Sequence, residues 1–196
     1  MVTISEIIER LPKYETQKRI EHSIRVKETA LQLYKIWGGN KQVLVYAALL
    51  HDIARDLPIE KLIEIAEKNG YRIDKIEAEN PIILHAPIGA IIAEKDFGIT
   101  DKNILNCIKY HTTGRASITL NEAIIYLADF IEPGRDFEDA KKVRKIAFAD
   151  LKEAVIQETI LNVAYLMNAR VPIHPKTIEM FNSLLKKELT KDEIKI

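Results

Sequence analysis

Cysteine is almost absent. Cys107 stands alone among 196 residues, so no disulfide can form within the chain. A reducing, cytoplasmic setting fits that usage. An excess of charge of one sign is also missing: lysine plus arginine number 29, and so do aspartate plus glutamate. This argues against a nucleic-acid partner, which usually needs a basic excess or stripe. A local basic pocket for a small anion stays compatible. No apolar run approaches the length of a membrane span. The opening MVTISEIIER lacks the charged-then-apolar order of a signal peptide. A soluble chain with no membrane partner is therefore expected. Strand-like alternation, internal repeats and low-complexity linkers are lacking as well.

What remains is helix after helix. Thr3 and Glu6 form a capping box before a short helix ending near Leu11–Pro12. From about Glu15 to Trp37, Val26, Ala30, Leu33, Tyr34 and Trp37 recur at helical spacing until Gly38–Gly39 stop the pattern. Lys41 to about Arg55 is very apolar and predicts a buried central helix. Pro58 opens another that runs to Asn69. Residues 71–84 are irregular. Pro87 opens a helix ending before Gly98, and a further helix spans Asp101 to His111. Thr119 with Glu122 opens one that runs through Asp129 to about Glu132. Asp150 with Glu153 divides 138–169 into two helices. Pro175 starts a last helix to about Leu189, followed by a frayed TKDEIKI tail. The pattern predicts one compact all-α domain. Its core covers about 15–137, and a helical extension over about 138–189 packs on that core and is poor in candidate site residues.

Histidine is scarce: His22, His51, His85, His111 and His174 are all there are. Each alone has a bland reading as a satisfied polar residue. His51–Asp52 differs, because it ends the most apolar stretch, AALLHDIARD, where a polar pair is costly to bury without partners. His22 sits on the core-facing stripe of the preceding helix. Asp129, in IIYLADFIEP, is another acid ending an apolar run. Imidazole and carboxylate groups converging from separate helices form a metal-site constellation. The mixed donor set suits iron, manganese, cobalt, nickel or zinc better than calcium or magnesium.

The ordered set His22, His51–Asp52, Asp129 resembles the H…HD…D signature of the HD superfamily of metal-dependent phosphohydrolases. The blocks RIEHSIRVKETA, AALLHDIARDLP, HAPIGA, KYHTTG and IIYLADFIEPGRDF, then IHPKTIEMFN, resemble the YqeK-type HD proteins in particular. That resemblance implies an all-α HD bundle and a symmetrical bis(5′-nucleosyl)-tetraphosphatase, which cuts diadenosine tetraphosphate into two ADP. It implies two transition-metal ions, usually iron. His22, His51, Asp52 and Asp129 would hold the first ion. His85 and His111 would join a bridging Asp52 at the second. Asp52 and Asp129 are thereby the expected catalytic carboxylates. A homodimer is also expected.

One departure from the wider superfamily is Arg55, where many members carry lysine. Arginine can clamp a phosphate but is a poor proton donor. Arg25 and Arg55, each one turn from a metal-site residue, and Arg135, which follows the helix that carries Asp129, are candidate phosphate contacts. Thr112 and Thr113 are candidate hydroxyl donors. Glu132 is a candidate for orienting a ligand. Asp56 is a candidate for positioning water or for a structural role, and His174 is read as a capping or packing histidine. Other nucleotide substrates, and a catalytically silent binding module, remain open readings of the same site.

Overall fold

The structure, a computed structural model, describes residues 2–186 and residue 189. It contains α1 (Ile4–Arg10), α2 (Gln17–Trp37), α3 (Lys41–Leu50), α4 (Ile59–Lys68), α5 (Lys75–Glu79) and α6 (His85–Lys95). There follow α7 (Lys102–Tyr110), α8 (Leu120–Ile131), α9 (Glu138–Ala147), α10 (Leu151–Ala169) and α11 (Pro175–Lys186). Short 3-10 turns cover Leu11–Lys13 and Pro81–Leu84. No strand occurs among the described residues, so the all-α expectation holds. No described helix is long and apolar enough to cross a membrane. The expected frayed tail lies outside the described residues, and the last helix is described only to Lys186.

The apolar pattern explains the centre. Every residue of α3 from Val43 to Leu50 is buried, as are Asn121 to Ala128 of α8. These two helices pack against each other and against α2 and α7, while α9 and α10 cover α8. Local chemistry sets their ends. Thr119 and Glu122 make the reciprocal capping box of α8, and Arg115 adds a bidentate grip on Glu122. At its other end, Arg144 of α9 donates to the carbonyl of Ile131, one that a helix end leaves unpaired, and to those of Glu132 and Arg135 in the turn beyond. The box at Asp150 is one-sided: its carboxylate accepts from the Glu153 amide, with no reciprocal bond from the Glu153 side chain.

Two expectations need correction. The central helix does not run to Arg55. It ends at Leu50, and the chain tightens into turns in which Ile53 bonds back to Leu50 and Arg55 to Asp52. His51 and Asp52 therefore sit in a turn, which aims both side chains at the same point. The stretch 71–84 is also more ordered than expected. Asp74 and Glu77 make a capping box that opens α5. Gly89 of α6 lets that helix lie on the His–Asp turn, since a Cβ there would sit 3.3 Å from Ile53 Cγ2 and 3.5 Å from the His51 carbonyl. Gly114, ending the HTTG segment at φ +62°, has the same kind of reason: a Cβ would collide with Met180 of α11.

Candidate metal centre

His22 stands in the second turn of α2 and Asp129 near the end of α8. His51 and Asp52 occupy the turn after α3. His85 opens α6 and His111 follows the last residue of α7. Five elements thus deliver six side chains to one place, and the four histidines and Asp52 are all at most 5% exposed.

Each of the four imidazoles has its Nδ1 engaged. His51 Nδ1 donates to the Ala48 carbonyl at 2.8 Å, His111 to Ile108 at 2.7 Å and His85 to Ile82 at 2.5 Å. His22 donates to Glu132 Oε1 at 3.1 Å. These oxygens only accept, so the proton lies on Nδ1 and the Nε2 lone pair points inward. Around those lone pairs the two oxygens of Asp52 divide the site. Asp52 Oδ2 lies 3.7 Å from His51 Nε2 and 3.9 Å from His22 Nε2, and His22 Nε2 lies 3.0 Å from Asp129 Oδ1. Asp52 Oδ1 lies 3.4 Å from His85 Nε2 and 3.5 Å from His111 Nε2.

Such an array is electrostatically incomplete on its own. The Nε2 atoms of His22 and His51 are buried without a hydrogen bond. Those of His85 and His111 face each other at 3.1 Å, and the one proton of the Thr112 hydroxyl, 3.2 and 3.1 Å away, can serve only one of them. Burial pushes His51 down to about 4 and lowers His85 too. It opposes charge on His22 and His111 as well, yet Asp129 beside His22 and Asp52 beside His111 raise both. The carboxylates therefore require positive charge between themselves and the rings. His22, His51 and Asp129, and likewise His51, Asp52 and His111, each bring ligand atoms within 4.8 Å of one another. The chemistry of the donors fits transition-metal ions.

A cavity of about 780 Å³ opens on this cluster. Arg55, Thr112, Thr113 and Arg135, four of the candidate phosphate contacts, line it. Arg25 does not: its guanidinium turns to Glu132, with Nε 2.6 Å from Oε2. Arg19 lines the cavity instead, donating to Asp52 Oδ2 at 2.8 Å. Both arginines lie one turn from His22, and only the direction in which α2 meets the cavity separates them. Glu132, 2% exposed, accepts from His22, Arg25 and the Gly134 amide, so it orients a site histidine. Asp56 caps the start of α2 through Thr16. His174 accepts from the Lys176 amide on Nδ1 and donates to Asp74 from Nε2, the capping role expected of it.

Two buried acids escaped sequence reasoning. Glu158 of α10 lines the cavity, and burial together with the Asp129 charge raises its pKa well above the usual carboxylate value. Glu15, 5% exposed with no hydrogen bond to either carboxylate oxygen, is pushed by burial and by Asp52 up to about 8. The folded state thus holds a proton on Glu15 that the unfolded chain releases near pH 4.5. Stability should fall as pH rises from about 4.5 to about 8, then level off. Glu15→Gln should remove that slope and stabilise the protein at pH 7 by roughly 2–3 kcal/mol, a rise in melting temperature of about 5–10 °C. Thermal melts of both proteins across pH 5–9 check this, and parallel curves would refute it.

The HD domain family model matches residues 19–134, which span the whole cluster. The chain belongs to the HD domain family. Among its HD relatives is the symmetrical bis(5′-nucleosyl)-tetraphosphatase of Bacillus subtilis, 36% identical over 87% of this chain and 91% of the relative. The protein of the same description from Staphylococcus aureus is 34% identical over 89% and 88%. A crystal structure from Clostridium acetobutylicum, described as a predicted HD superfamily hydrolase involved in NAD metabolism, superposes with a TM-score of 0.92. It is 37% identical and covers 96% of this chain and 100% of its own.

Proposed function

We propose that this HD protein hydrolyses diadenosine tetraphosphate symmetrically to two ADP. The observation that carries the reading is the division of the six side chains by the two Asp52 oxygens, in a chain related over most of its length to proteins described as symmetrical tetraphosphatases. In this reading His22, His51, Asp52 and Asp129 would hold one transition-metal ion. His85 and His111, with Asp52, would hold a second, with iron the expected occupant. When bound, the ions supply charge neutralisation and a hydroxide nucleophile near neutral pH.

The chain supplies the rest. Phosphoryl transfer needs in-line positioning and neutralisation of charge more than covalent help. Arg19, Arg55 and Arg135 bring three guanidinium groups to the cavity wall, and Thr112 and Thr113 bring hydroxyl donors. Arg135 holds Asp129 Oδ1 at 3.0 Å and Arg19 holds Asp52, so both keep the carboxylates in place before substrate enters. Glu132 keeps the His22 proton on Nδ1.

The test is the product pattern. Metal-loaded protein given diadenosine tetraphosphate should yield ADP as the sole nucleotide, and Asp129→Ala should end turnover while the helical circular dichroism persists. An AMP and ATP pair would refute symmetrical cleavage. Faster turnover of a mononucleotide in the same assay would move the substrate elsewhere within the family.

A further inference from the structure

One wall of the cavity is a stripe of α10: Glu158, Leu161, Asn162 and Tyr165 lie three or four residues apart and all line it. Glu158 begins the stripe at its buried end. It is 5% exposed, and its Oε2 has no hydrogen-bond partner among the described residues. Tyr165 ends it at 69% exposed. From Thr159 to Ala169 the helix carries no charged residue. Phe130 and Phe137, stacked edge to face at 5.4 Å, line the same cavity.

Folding does not account for Glu158. A buried carboxyl oxygen without a partner opposes the folded state, and an apolar residue would pack there at lower cost. A ligand donor reaching the cavity wall does account for it. Phosphate already finds cations and hydroxyls in Arg19, Arg55, Arg135 and Thr112. A carboxyl suits a neutral group that carries O–H or N–H. Flat aromatic and apolar side chains beside it suit a ring.

We infer that the α10 stripe binds the uncharged nucleoside end of the substrate, with Glu158 taking hydrogen bonds from its hydroxyl or amino donors and the aromatic rings covering the base. This rests on the nucleotide reading above, but not on where the phosphate chain is cut. It makes the helical extension part of the specificity apparatus.

Calorimetric titration of metal-loaded protein with ADP, 2′-deoxy-ADP, inosine diphosphate and inorganic pyrophosphate tests it without turnover. Glu158→Leu should weaken ADP binding about tenfold or more, leave pyrophosphate within about twofold, and raise the melting temperature. Glu158→Gln should lie between wild type and Leu. Wild type should disfavour 2′-deoxy-ADP if the donor is a ribose hydroxyl, or inosine diphosphate if it is the base amine. Equal affinity for all three nucleotides would overturn the inference. So would parallel loss of ADP and pyrophosphate, unchanged ADP binding in Glu158→Leu, or a lower melting temperature in that variant. If the tetraphosphate is cut asymmetrically or not at all while nucleoside discrimination persists, the reaction reading fails and this one stands.

Discussion

Asp52→Asn is expected to abolish turnover and to empty both metal positions. Asp52 faces both groups of histidines, with Oδ2 towards His22 and His51 and Oδ1 towards His85 and His111. Asparagine keeps the volume but offers one oxygen and an amide, so one group of imidazole lone pairs meets a donor in place of an anion. The neutralising charge between the two positions disappears with it. Losing a residue that merely orients a metal ligand costs about 10–100-fold in metal affinity or activity. Losing Asp52, which the proposed reading gives to both ions, should therefore cost more than ~100-fold in turnover. The helical fold should survive, because the change removes a buried charge without leaving a void. Elemental analysis, steady-state turnover and circular dichroism of the variant check the three parts. A variant that keeps two metal equivalents and a tenth of the activity would show that Asp52 does not bridge.

Glu132→Ala should be the most damaging substitution outside the six converging side chains. Glu132 is 2% exposed and accepts from His22 Nδ1, Arg25 and the Gly134 amide. Removing it frees the His22 ring to rotate or change tautomer, and leaves the Arg25 guanidinium without its carboxylate. The expected loss is about 10–100-fold in metal affinity and activity. A destabilisation of about 1–3 kcal/mol should accompany it, because the His22 and Gly134 donors lose their acceptor while Arg25, about a third exposed, is taken up by water. Glu132→Gln keeps an oxygen for His22 and should recover part of the metal affinity, but not the interaction with Arg25. Metal titration and thermal melts of the two variants separate these effects. Wild-type metal affinity in Glu132→Ala would mean that His22 is held by packing alone.

Much of the fold was legible in particular residues. Thr3 with Glu6 and Thr119 with Glu122 form the capping boxes expected of them, and Gly38 and Gly70 follow helix ends with positive φ. These signals are local: a side chain meets a backbone amide three residues away. The errors lay where locality fails. Ala47 to Arg55 looks helical because it is apolar with no glycine or proline, yet the chain leaves the helix at Leu50. Only the crossing of α6 at Gly89 over that turn shows what it packs against. Arg144, which donates to three carbonyls at and beyond the end of α8, carries no local signal of that role because its partners belong to another element.

The sequence by itself determined that the chain is helical and where most helices begin and end, and it singled out His22, His51, Asp52 and Asp129 as metal-ligand candidates. Periodicity tells which side of a helix faces inward. It is silent on the distance and rotation between helices far apart in sequence. Tertiary structure alone therefore decided that Asp52 splits its oxygens between two groups, and that Arg19 rather than Arg25 meets the cavity. It also brought Glu158, from a segment with no visible motif, into the cavity wall. Helix packing sets those relations, because side-chain burial is gained between elements and not within them.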